Sequence, residues 1–250
     1  DEALNFIKTK LKKIQKEKIA AVIGNQVDCE SIILLKDLFK MLGSDNLLCS
    51  QNNSSYKSIP RVAYTFNSTI SGIEDSDFCL LIGTNPRKEA AILNTRIRKR
   101  YLQGNFEIFS IGPKFDINYP CKFLGDNPSI LSDTINKKNL LSKKLEKAKK
   151  PLLVIGDNIF TRNDSNSFLG CIYKLCISFK IIQKKNKDIV WNGLNCLHNS
   201  ASRVGALDLK FYSKKNNFDL DRLYHLSNKK KLDFIYLLGV DQIDIKKLIN

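Results

Sequence analysis

Five consecutive residues, Gly83-Thr84-Asn85-Pro86-Arg87, have the types and spacing from which an anion site could be built. They follow the run Phe78-Cys79-Leu80-Leu81-Ile82 and precede Ala90, Leu93, Ile97 and Tyr101, which recur at intervals of three and four. A run that is apolar throughout reads as a strand covered on both faces, and the spacing after it as one helical stripe. Gly83 breaks the strand, Asn85 suits a helix N-cap, and Pro86 suits the first helical position. Such a strand–glycine–helix junction turns free backbone N–H groups toward an anion such as a nucleotide phosphate. An ordinary tight turn in an α/β sheet fits the same residues, and the segment alone leaves both readings open.

Elsewhere the chain offers little chemistry. Its two histidines, His198 and His225, have no cysteine or carboxylate at metal-ligand spacing. Leu194, Leu197 and Ala201 follow helical spacing, so His198 reads as a structural histidine near a helix–helix contact, and His225 falls in a Lys- and Asn-rich loop region. Glu74, Asp75 and Asp77 form an exposed acidic patch before the strand, read as solvated charge or a docking patch for a basic neighbour. Asp28 and Glu30 suit a helix start through capping and the helix dipole. The seven cysteines contain no C-x-x-C pair, whereas zinc and iron–sulphur sites use tighter spacings. Their odd number argues against a disulfide framework and for a reducing compartment. There is no G-x-S-x-G elbow, P-loop or complete G-x-G-x-x-G. No catalytic residue and no metal site is expected.

The elements that must position the Gly83 junction follow from one recurring pattern. Apolar runs end in glycine at Ile19–Gly24, Phe78–Gly83, Phe106–Gly112, Leu152–Gly156 and Phe234–Gly239. Helical patterns fill most of the gaps. Leu4, Ile7, Leu11 and Ile14 form one stripe, and Ile32, Leu35, Leu38 or Phe39, and Leu42 a second that Asp28 caps. Leu141, Leu145 and Ala148 form a third, and Phe168, Ile172, Leu175 and Phe179 a fourth. Strands alternating with helices predict an α/β fold with doubly wound, mainly parallel sheets and flanking helices. Ligands of such sheets bind at the carboxyl ends of the strands, where these glycines lie. The Lys- and Asn-rich stretch at 127–150 is the expected joint between two lobes, 1–130 and 131–250, and Gln183–Asp188 an expected surface loop.

At 250 residues and 43% hydrophobic composition the chain can bury a full core. Its longest apolar runs are far too short to span a bilayer, so any membrane contact is expected through partners. The opening DEALNFIKTK reads directly as helix, without the marks of a secretion signal or transit peptide. The formal charge of +16 would suit a nucleic-acid binder. Its lysines, however, are spread over helix faces with few aromatics between them, which points to solvated faces or acidic neighbouring subunits.

Taken together, these segments resemble one family. FNSTISGIEDSDFCLLIGTNPRKEAAILNTRIRK is similar to the signature segment of the large iron–sulphur (75 kDa-type) subunit of respiratory complex I, NADH:ubiquinone oxidoreductase. The similarity is to that subunit's C-terminal, molybdopterin-oxidoreductase-like region. IAAVIGNQVDCESIILLKDLFKMLGSDNL lies upstream; SIGPKFDINYPCKFLGDNPSIL, AKKPLLVIGDNIFTRND, WNGLNCLHNSASRVGALDL and IYLLGVD follow in the family's order.

The resemblance implies a degenerate molybdopterin oxidoreductase domain in which the glycine-ended strands once held a bis-pterin molybdenum cofactor. Gly83, Thr84 and Asn85 would mark the vestigial nucleotide position, with Arg87 bringing a long cation to its mouth. It implies a non-catalytic structural role in the peripheral arm on the matrix side of the mitochondrial inner membrane, with no cofactor in this chain. The family's N-terminal cysteine motifs are absent from this sequence, so iron–sulphur clusters are expected in a separate partner chain, as in a split subunit. The Lys-, Asn- and Ile-rich, Ala-poor composition suggests an AT-rich gene. Ala91 stands where the family usually has Pro and Lys210 where it usually has Gly, and Lys210 is expected to obstruct close approach of a ligand. Two rival readings are a molybdopterin-type cofactor-binding oxidoreductase fragment and a basic nucleic-acid-binding module.

Overall fold

The computed structural model describes residues 1–52, 54, 56, 59–186, 188–213 and 218–248. In chain order its α-helices are α1 (Glu2–Leu11), α2 (Cys29–Met41), α3 (Gly72–Asp75), α4 (Pro86–Glu89) and α5 (Ala91–Leu102). They continue with α6 (Ser129–Ile135), α7 (Leu140–Lys147), α8 (Ser165–Ser178), α9 (Arg203–Asp208) and α10 (Leu220–Asn228). The strands are β1 (Ile19–Ile23), β2 (Leu47–Leu48), β3 (Phe78–Ile82), β4 (Glu107–Ile111) and β5 (Lys122–Phe123). After them come β6 (Pro151–Gly156), β7 (Ile182–Lys185), β8 (Asp188–Asn192), β9 (Leu194–Leu197) and β10 (Phe234–Leu238).

The chain divides into two compact units, residues 1–58 with 200–250, and residues 59–199. The division differs from the expected joint, because residue 130 falls inside the second unit. There β6 hydrogen-bonds in parallel to β3, with Phe78 opposite Pro151 and Ile82 opposite Ile155, which ties the two sides of the 127–150 stretch into one sheet. Three lysines of that stretch, Lys143, Lys144 and Lys147, lie on the outer side of α7, whose Leu141 and Leu145 are buried. Its polar composition therefore marks a solvated helix face and not a linker.

The sheet of the second unit has the order β5-β4-β3-β6-β9, and every pairing is parallel. From β3 the chain winds outward through β4 and β5, then returns to β6 and β9 on the other side. The gap between the carboxyl ends of β3 and β6 is thus a topological switch point. All five residues of β3 are buried, as its unbroken apolar run requires. Successive side chains point to opposite faces. Cys79 and Leu81 join Ile73, Leu93, Ile97, Ile108 and Val154 in one cluster, while Phe78 stacks on Phe109 at 5.3 Å between centroids.

The first unit holds a three-stranded parallel sheet, β10-β1-β2. Its β1 is buried throughout, and Ala20 and Val22 pack with Phe218, Leu223 and Ile243. Asp28 caps α2 as expected, accepting from the Ser31 N–H at 2.7 Å. The stripe read in the first helix does not pack, for α1 has no buried residue.

Three local expectations are corrected. Leu194–Leu197 is a strand paired with β6, not a helix. A four-residue apolar run has no period of its own, and Ala201 supplied a false third turn. The stretch Gln183–Asp188 belongs to an antiparallel hairpin, β7 with β8, and not to an open loop; Lys187 within it lies outside the described residues. His225 sits on α10, because Leu220, Leu223 and Ser227 share a helix face that the surrounding polar residues obscured.

Candidate functional site

The Gly83 junction stands at the switch point, and three glycines bring the strand ends together there. Gly83 has a φ of +58°, a left-handed conformation that favours glycine, and its N–H donates to Ile111 O at 2.9 Å. A Cβ on Gly156 would lie 2.3 Å from Gly83 O, and one on Gly112 would lie 3.3 Å from Gly83 Cα. The glycines that read as a place for a ligand are pressed against one another's backbone. Above them lies a cleft of about 230 Å³, floored by Ile82, Gly83 and Gly112 and walled by Asn158, Arg162 and Phe168.

Of the polar groups in and beside the junction, Asn85 Oδ1 is buried without a hydrogen-bond partner, whereas the hydroxyl of Thr84, the N–H of Asn85 and the guanidinium groups of Arg87 and Arg162 have carboxylate partners within the same unit. Asn85 occupies the N-cap position, but its side chain makes no capping bond. A residue that the sequence reading missed does the capping: Glu89 accepts from Thr84 Oγ1 at 2.6 Å and from the Asn85 N–H at 2.9 Å. The visible signal was an acidic residue in the first turn after a Thr-Asn start. Arg87 reaches sideways to Asp116, with Nη1 2.6 Å from Oδ2. The Asn118 N–H and, after it, that guanidinium hold the Asp116 carboxyl below the usual carboxylate range. Arg162 pairs with Asp164 through two contacts of 2.7 Å.

The expected single helix after the junction is interrupted at Ala90 (φ −152°, ψ 68°). Ala91 is therefore the first residue of α5, a position that would also suit the proline expected from the resemblance. Lys210 likewise has a structural place: its φ is +57°, and its N–H and that of Phe211 close α9 onto Leu207 O and Ala206 O. A left-handed helix end of this kind would suit the glycine expected there from the resemblance.

The other candidates have structural roles. His198 holds Tyr64 O at 2.7 Å through Nε2 and stacks on Phe160. Of the acidic patch, Glu74 pairs with Arg96 and Lys99, Asp75 with Lys150, and Asp77 accepts from the N–H groups of Lys149 and Lys150. The basic neighbours of this patch belong to the same unit.

Burial raises the thiols of Cys49, Cys79 and Cys196, and pushes Cys176 up to about 12. Cys29 is exposed. A thiol-disulfide titration of the native protein should therefore modify Cys29 first and leave those four unreacted until denaturant is added. Early labelling of Cys79 or Cys176 by peptide mapping would contradict that burial.

The family model described as Molybdopterin oxidoreductase matches residues 1–250. The chain is 40% identical to the NADH-ubiquinone oxidoreductase 75 kDa subunit of Reclinomonas americana, over 98% of this chain and 36% of that protein. It is 42% identical to the mitochondrial NADH-ubiquinone oxidoreductase 78 kDa subunit of Candida albicans, over 99% and 33%. With the mitochondrial NADH dehydrogenase [ubiquinone] iron-sulfur protein 1 of Solanum tuberosum it shares 33% identity, over 99% and 31%. The chain thus spans about a third of the length of these curated relatives.

The family description implies a molybdenum–pterin group, and the mouth of the second unit does not fit one. Its cleft of about 230 Å³ falls below the roughly 300–1,000 Å³ of sites that enclose even a drug-sized ligand. The cation that lines it, Arg162, is paired with Asp164, and at the adjoining junction the Arg87 guanidinium, the Thr84 hydroxyl and the Asn85 N–H have carboxylate partners. Among the described residues no three His, Cys, Asp or Glu side chains converge as metal donors. The sequence match over the full chain and the parallel sheets agree: the chain belongs to the molybdopterin oxidoreductase family.

Proposed function

We propose that this chain is a non-catalytic structural piece of the large iron–sulphur subunit of respiratory complex I. In this reading it sits in the peripheral arm, on the matrix side of the mitochondrial inner membrane. A separate partner chain carries the iron–sulphur clusters that pass electrons from NADH toward ubiquinone, and this chain holds no cofactor. The observation that carries the reading is the internal pairing at the switch point, where Glu89 and Asp116 take the Thr84, Asn85 and Arg87 groups that would otherwise face an anion. The similarity to complex I subunits over 98–99% of the chain supports the assembly. No helix among the described residues is long and apolar enough to cross a membrane, which fits attachment through partners.

The test is purification of the tagged chain from its own cells in mild detergent, with metal analysis and identification of the associated polypeptides. The expected result is an NADH-oxidising, iron-containing assembly that includes a chain with C-x-x-C-type motifs, while the released chain carries neither iron nor molybdenum. Stoichiometric molybdenum on the released chain would overturn the reading in favour of a cofactor-binding oxidoreductase fragment.

A further inference from the structure

Helix α2 carries a second apolar stripe beside the one it buries. Ile32, Leu35 and Phe39 are buried in the first unit, whereas Leu34, Leu38 and Met41 in the second stripe are 70%, 36% and 80% exposed. Residues at i, i+4 and i+7 line up as one ridge along a helix. A helix that is apolar all round is ordinarily buried all round, and a ridge of this spacing is what packs into the groove of a second helix.

The charges beside the ridge select the kind of partner. Glu30 and Asp37 are exposed, each one turn before a ridge residue, Leu34 and Met41 respectively. In a chain of net charge +16, this flank is acidic. Carboxylates beside the apolar stripe repel an anionic lipid surface and the phosphates of nucleic acid, and they attract a basic-flanked helix. We propose that the outer face of α2 docks an amphipathic helix of another protein subunit, one whose apolar stripe is flanked by lysine or arginine.

The experiment places the photo-cross-linker p-benzoylphenylalanine at Leu34, and separately at Met41, in the full chain expressed in its own cells. Illumination is followed by mapping of the cross-linked peptide. The expected product joins α2 to a segment of a different polypeptide that has apolar residues at helical spacing with Lys or Arg beside them. The double variant Leu34→Glu/Met41→Glu should lower recovery of that polypeptide roughly tenfold, as loss of an interface anchor does, without moving the urea midpoint. Charge reversal by Glu30→Lys/Asp37→Lys should weaken it in the same direction. Cross-links to lipid, to nucleic acid, to a second copy, to the same chain or to an acid-flanked segment would overturn the proposal, as would no cross-link at either position. The outcome is independent of which assembly the chain belongs to.

Discussion

Replacing Gly24 by alanine is expected to cost about 4 kcal/mol or more and to unfold the first unit locally or completely. The added methyl would stand 1.6 Å from Gly239 O and 2.4 Å from its carbonyl carbon. Those are backbone atoms of the adjacent chain segment, so no rotamer change relieves the overlap. The Gly24 N–H already donates to Leu238 O at 2.8 Å, and β1 and β10 would have to separate where they are hydrogen-bonded. Losses above roughly 4–5 kcal/mol are exceptional for a single substitution and come from such clashes or lost networks. Gly170 is the control: it lies inside α8 with nothing within 4 Å of its would-be Cβ. Gly170→Ala should stabilise by about 0.5–1 kcal/mol, because it removes backbone entropy without strain. Urea titration of both variants, with hydrogen exchange to localise the loss, separates the two roles of glycine. A Gly24→Ala protein within about 1 kcal/mol of wild type would mean that the strand ends do not approach in this way, and a ligand-facing role for the glycine would regain ground.

The same contrast explains what the sequence made legible. Strands β1, β3, β4, β6 and β10 were readable because each is a mainly apolar run closed by a glycine or, for β6, ending on one; β1, β3 and β6 are buried throughout, which leaves no polar residue to blur them. Strands β2 and β5 contain two residues each, too few to carry a period. The β7–β8 hairpin was hidden because Lys184, Lys185 and Asp188 face solvent and give the segment a loop's composition. The unit division was hidden for another reason. Ile19 pairs with Phe234, and no local composition records a contact between residues so far apart in the chain. At the switch point, Gly83, Thr84 and Asn85 were visible because a strand–turn–helix junction is a local event. The fate of Arg87 was not, since it depends on where the loop after β4 places Asp116. A cation at a helix start reads as available until the structure shows its partner.

Removing the Glu89 carboxylate is the second large effect expected, and it bears most directly on the Gly83 junction. Thr84 and Asn85 are buried, and Glu89 accepts from the hydroxyl of one and the N–H of the other at 2.6 and 2.9 Å. Hydrogen bonds to a charged group contribute about 1.5–3 kcal/mol each, and a buried donor left without an acceptor costs its desolvation. Two such bonds share one carboxylate here, and water can reach the half-buried Glu89 position, so Glu89→Ala should destabilise by about 2–3 kcal/mol. Glu89→Gln should cost less than half of that. Its amide oxygen can still accept from the Asn85 N–H, and the Thr84 hydroxyl can turn to accept from the amide NH₂. The measurement is the urea midpoint of each variant, followed by titration with inorganic phosphate. If the carboxylate serves only the turn, phosphate should not restore the stability of Glu89→Ala, because the glycine-packed mouth is too narrow to seat it. If phosphate restores it, the cradle still selects for an anion, and the mouth of the second unit retains a binding function that Glu89 occupies in the ligand's place.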